Sequence, residues 1–79
     1  MSDNQAKLFA QSLTDHKVSQ ALEQISDTLT ELGKKAEANG DRIKAVAYHQ
    51  AAKSVLEDSL DWIVKAADKL DMATQEKGA

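Results

Sequence analysis

Residues 18–41, VSQALEQISDTLTELGKKAEANGD, decide the fold. Val18, Leu22, Ile25, Leu29, Leu32 and Ala36 follow one another in alternating steps of four and three. That spacing makes a narrow helical seam of the coiled-coil kind. The run stops at Asn39-Gly40-Asp41. Glycine takes the left-handed conformation without steric cost and so ends a helix. The aspartate after it can cap the next helix through its side-chain oxygen. Two helices joined by so short a turn lie antiparallel.

Beyond the turn the apolar pattern widens. Over about 41–73, Ala45, Ala52, Leu56, Leu60, Ile63, Ala67 and Leu70 form a central stripe, with Val46 and Val64 beside it. Tyr48, Val55 and Trp62 extend it on the other side at seven-residue spacing, with Ala66 and Ala73. Together these residues span roughly 220° of the helix, where one neighbour needs about 100°. Such a helix expects company from two directions. Thr74–Ala79 reads as a frayed tail.

Toward the N-terminus, Ser2 and Gln5 have the spacing of a capping box, which starts a helix over about 3–13. At 100° per residue, Phe9 lies about 180° and Leu13 about 140° from Val18. A straight helix would turn both away from the seam, so a break near Thr14–His16 is expected, with Thr14 or Asp15 capping a second helix over about 15–38. Lengths agree with this reading. The last helix would be about 50 Å long and the second about 36 Å, leaving an overhang of about 14 Å that a first segment of about 16 Å would cover.

Composition sets the outer bounds. The chain has 79 residues, no proline, no cysteine and three glycines. One small domain fits that length, and a single core of this size rarely supplies more than ~3–5 kcal/mol. With no disulfide or thiolate metal site to supplement it, a second copy is the expected supplement. No apolar run approaches the ~20 residues of a membrane span. The first residues lack the order of a signal peptide, so a cytoplasmic location is expected. Net charge is −3, unevenly placed. The middle of the chain is basic, through Lys34, Lys35, Arg42, Lys44 and Lys53, and both flanking stretches are acidic.

Motifs for chemistry are few. There is no cysteine nucleophile, Gly-x-Ser-x-Gly elbow or phosphate-cradling loop. His16 and His49 stand 33 residues apart and without a Glu-x-x-His pair, which is poor ground for a metal site. No enzyme activity, cofactor or metal is expected. His49, central in the apolar arc, reads as a hydrogen-bonded core or interface histidine, and His16 as an exposed one. Lys34, Lys35, Arg42 and Lys44 surround the turn and read as solvated, so direct nucleic-acid binding is not favoured. Glu23, Asp27 and Glu31 recur every four residues, and Glu57 and Asp61 repeat that spacing. They read as a soluble outer face, with an acidic docking face as the functional alternative.

The sequence therefore points to an all-α chain. It predicts an antiparallel hairpin of two long helices, a short N-terminal helix turned back over it, and a helical bundle formed as a homodimer. The expected function is binding another protein, as a small regulator, adaptor or inhibitor. The alternatives are an acidic nucleic-acid mimic that blocks a nucleic-acid-binding protein, and a secretion-type chaperone. Phe9, Leu13, Tyr48, Val55 and Trp62 are the expected partner or dimer interface.

Overall fold

The computed structural model describes residues 2–75. It holds two helices, α1 (Asp3–Ala38) and α2 (Arg42–Thr74), packed against each other as a hairpin. Ser2 caps α1 with both halves of the capping box made: its hydroxyl accepts from the Gln5 amide, and the Gln5 side chain accepts from the Ser2 amide. Gly40 makes the turn at φ 77°, in the left-handed region that glycine occupies freely. Asp41 caps α2 by accepting from the Lys44 amide at 3.0 Å. Of the expected tail, Thr74 is the last helical residue and 76–79 lie outside the described residues.

The expected short N-terminal helix and its break are corrected: α1 runs unbroken through Thr14–His16. Both would-be caps are engaged elsewhere. The Thr14 hydroxyl donates back to the Ala10 carbonyl of its own helix, and Asp15 accepts from Lys69 Nζ across the hairpin at 2.6 Å. The expected overhang disappears too, because the helices have 36 and 33 residues and match in length.

The break was inferred from a seam in the wrong place. The two helices do not meet on Val18–Ala36. They meet on small residues in strict heptads: Ser12, Ser19, Ser26 and Gly33 on α1, and Ala45, Ala52, Ser59, Ala66 and Ala73 on α2, all buried. Serine hydroxyls join the backbones directly. Ser12 Oγ donates to the Ala66 carbonyl at 2.8 Å, and Ser26 Oγ to the Ala52 carbonyl at 2.8 Å. Between them, Ser19 and Ser59 each donate to the other's carbonyl at 2.9 Å. A helical carbonyl has a second lone pair beyond its intrahelical bond, so these contacts cost the helices nothing. Among the described residues no buried side-chain polar atom lacks a partner.

Each step of seven along α1 is answered by a step of seven back along α2, which is the periodicity of a left-handed antiparallel coiled coil. Continued, the register sets Gly33 opposite Ala45. The imidazole of His49 lies over Gly33, where an added Cβ would come within 2.7 Å of His49 Cε1. A side chain at that position would push the ring away.

Close approach, more than hydroxyl bonding, is what this seam requires. Exchanging Ser59 for alanine loses hydrogen bonds worth about 1 kcal/mol each, partly offset by alanine's better helix propensity. A leucine there must part the backbones, which costs about 3 kcal/mol or more. Ser59→Ala is expected to shift the unfolding midpoint by a few degrees and Ser59→Leu to abolish the cooperative transition, both read by circular dichroism in a thermal melt. Equal effects of the two substitutions would contradict the seam.

Candidate interaction surface

With small residues filling the contact line, the large apolar side chains are displaced to its two flanks. On one side of the line, α1 contributes Val18, Leu22, Ile25, Leu29 and Leu32, and α2 contributes Tyr48, Val55 and Trp62. The register sets Leu22 level with Val55, Leu29 with Tyr48 and Asp15 with Trp62. Most of these side chains are half-buried, Ile25 being the exception at 49% exposed. Two charged contacts finish this flank. Lys65 Nζ sits 4.4 Å from the Trp62 ring centroid, and Lys69 reaches the buried Asp15. This is the closed flank.

The other side is open. There α1 presents Phe9, Leu13 and His16, and α2 presents Leu56, Leu60, Ile63, Ala67 and Leu70. All are exposed, Leu13 and Leu60 by more than half at 51% and 55%. Phe9, Leu13 and His16 share one shallow apolar groove with Ile63, Ala67 and Leu70, floored by Ser12 and Ala66. Toward the turn the same flank becomes charged. Glu37 Oε1 contacts His49 Nε2 at 2.6 Å, next to Arg42 and Val46.

The structure therefore divides the expected interface residues between two flanks. Tyr48, Val55 and Trp62 lie half-buried on the closed flank. Phe9 and Leu13 lie on the open one, away from the Tyr48–Trp62 stripe. The acidic residues are divided as well. Glu23, in the row of Phe9 and His16, stands on the open flank, Asp27 at its edge and Glu31 on the outer side of α1, whereas Glu57 and Asp61 are exposed on the back of α2. They do not form one continuous surface. His49 is the hydrogen-bonded histidine expected, with Glu37 as its partner, and His16 is exposed. Two features escaped the sequence reading: the serine heptad, and the Asp15–Lys69 pair. The signal for both was present in the spacing, since Asp15 belongs to the same seven-residue row as Leu22, Leu29 and Ala36.

Among the described residues no three histidine, aspartate or glutamate side chains cluster so as to hold a metal, and no helix is long and apolar enough to cross a membrane. None of the protein families, curated proteins or solved structures compared with the chain matches it significantly.

The Asp15–Lys69 pair carries an asymmetry that can be measured. The Asp15 side chain is 7% exposed and that of Lys69 32%. Removing the lysine strands a carboxylate inside the hairpin, whereas removing the carboxylate leaves an ammonium that can swing to water. Lys69→Met is expected to cost about 3 kcal/mol and Asp15→Asn clearly less, compared by urea denaturation. The reverse order would mean that Asp15 is hydrated.

Proposed function

We propose that this chain is a non-enzymatic protein-interaction module, a small regulator, adaptor or inhibitor that works by offering an unfinished helical bundle. One observation carries the reading. Among the described residues, every side chain buried in the apolar core is an alanine; no leucine, isoleucine, valine, phenylalanine, tyrosine or tryptophan is buried. Fully burying a leucine or phenylalanine contributes about 1.5–3 kcal/mol. In the isolated hairpin much of that contribution is unrealised at Phe9, Leu13, Leu56, Leu60, Ile63 and Leu70. A bundle of four helices, made with a second copy or with helices of another protein, would realise it.

The shape supports the same reading. The Cα radius of gyration is 18.0 Å, against about 12 Å for a compact chain of this length. Among the described residues the grooves along so slender a rod are shallow, whereas acid–base catalysis needs side chains held away from bulk water. Grooves between helices suit recognition of a third and fourth helix. The acidic-mimic reading has less support, because the acidic rows point in different directions.

Photo-crosslinking in extract of the source cells tests this directly. A benzoylphenylalanine at Leu60 samples the open flank, one at Ile25 the exposed gap in the closed flank, and one at Glu57 the back of α2 as control. Discrete protein adducts from at least one flank position, absent from the control, are expected. No adduct from either flank would overturn the proposal. Trp62→Ala is a less informative variant, because its half-buried ring is part of the closed flank and its loss weakens the hairpin itself.

A further inference from the structure

Resting on the interaction reading, we infer that the open flank is closed by a second copy of the chain. The two hairpins lie face to face with their termini at the same end, so that α1 of each copy packs on α2 of the other. Three observations lead there: the amount of surface, the distribution of apolar residues, and the placement of charge.

The hairpin exposes 5959 Å², whereas a compact monomer of 8.6 kDa exposes about 4,700 Å². The excess, about 1,250 Å², is larger than the roughly 800 Å² that each partner contributes to a standard interface. One face of this rod can therefore be covered by a copy of itself with area to spare.

The open flank changes character along its length. The half nearer the termini is apolar on both helices, with Phe9 and Leu13 on α1 and Leu60, Ile63 and Leu70 on α2. The half nearer the turn is charged, and the two helices carry opposite signs. On α1 the positions next to the seam bring Glu23, Asp27 and Glu37, opposed only by Lys34. On α2 the equivalent positions bring Arg42 and Lys53 and no acid, beside the apolar Val46 and Leu56.

That arrangement selects one symmetry. Consider a two-fold axis along the hairpin, in the plane between the copies. It lays α1 of one copy antiparallel on α2 of the other, with levels preserved. The seam register, with Ser26 opposite Ala52, puts Asp27 within about two residues, some 3 Å along the axis, of the level of the second copy's Lys53. Glu37 comes to the level of the second copy's Arg42 in the same way. Phe9 and Leu13 meet Leu70 and Ile63. Every acid-to-base contact occurs twice. A two-fold axis across the hairpin would instead lay the charged half of each copy on the apolar half of the other, leaving charges desolvated without partners.

The test is a charge exchange between chains. Asp27→Lys alone sets lysine against Lys53 at both contacts, and Lys53→Asp alone sets aspartate against Asp27 at both. An equimolar mixture restores opposite charges at both contacts, but only between unlike chains. Inside each variant the two charges remain alike. Light scattering on a sizing column should find the parent dimeric and each variant dissociating at least about tenfold more readily. Native mass spectrometry of the mixture should show heterodimer well above the statistical half. Recovery of helicity on mixing, followed by circular dichroism, would count equally if either variant alone is unfolded. A folded parent that stays monomeric at the highest concentration measured overturns the self-association and leaves the protein-binding proposal standing. A dimeric parent whose variants mix statistically, or whose mixture fails to reassociate, overturns this arrangement. The protein-binding proposal fails separately, if neither flank gives a crosslink.

Discussion

The rest of the molecule depends on how closely two helical backbones approach along a line of serine, glycine and alanine. Four serine hydroxyls reach across that line to the carbonyls of the opposite helix. A hydroxyl oxygen sits one bond beyond Cβ, so a contact of 2.8–2.9 Å to the opposite main chain leaves no room for a larger side chain on either helix. The seam is consequently polar in chemistry, satisfied in hydrogen bonding and nearly free of hydrophobic volume. Each such hydrogen bond is worth about 1 kcal/mol net, since water would have bonded the hydroxyl in the unfolded chain. The seam specifies geometry more than it stabilises.

Hydrophobic stabilisation must then come from the flanks, and there it is incomplete. The closed flank half-buries Leu22, Leu29, Tyr48, Val55 and Trp62, and the Lys65 and Lys69 contacts finish its edge. The open flank has no such cover. The same narrow seam that brings the backbones together keeps the large side chains from reaching across it, so they stand to either side as two ridges. A hairpin built this way keeps its large apolar side chains at or near the surface. Its own cohesion is modest, and a partner that buries the open ridge adds to the stability of the fold in the act of binding.

Much of the fold could be read from the residues, and the misreadings have one physical source. The capping box at Ser2 and Gln5, the turn at Asn39-Gly40 and the cap at Asp41 were legible because each depends on local backbone chemistry. The wide apolar arc of α2 was legible because side-chain periodicity reports it. The contact line was missed because a search for hydrophobic periodicity discards serine as polar and glycine as a breaker. Yet Ser12, Ser19, Ser26 and Gly33 recur as strictly as any leucine heptad. With Val18–Ala36 as the seam, Phe9 and Leu13 fall on the wrong side and a break is required. With the true seam, Val18 belongs to one flank and Phe9 to the other, and a straight helix carries both. The interface residues were misgrouped for the same reason: Tyr48, Val55 and Trp62 share the flank of Val18, while Phe9 and Leu13 share that of Ile63.

A repeating seam raises a question of uniqueness. A shift of seven residues would again set small residues against small ones, so Ser19 would meet Ala66 or Ala52 with little change in fit. Two features oppose that slip. The connection between helices is three residues long, Asn39-Gly40-Asp41, and a shifted pairing would have to unwind a further stretch of helix to span the turn. The Asp15–Lys69 ion pair and the Glu37–His49 hydrogen bond stand near opposite ends of the hairpin, on opposite flanks, and neither survives a shift. A slip in α2 that brought another residue against the buried Asp15 would offer Trp62 in place of Lys69 and leave the carboxylate unpaired, at a cost of several kcal/mol. The buried Asp15–Lys69 pair thus acts as a register key in an otherwise degenerate line. By holding the register it also fixes which levels of α1 and α2 stand side by side on the open flank, and so the order of apolar and charged residues that a partner meets.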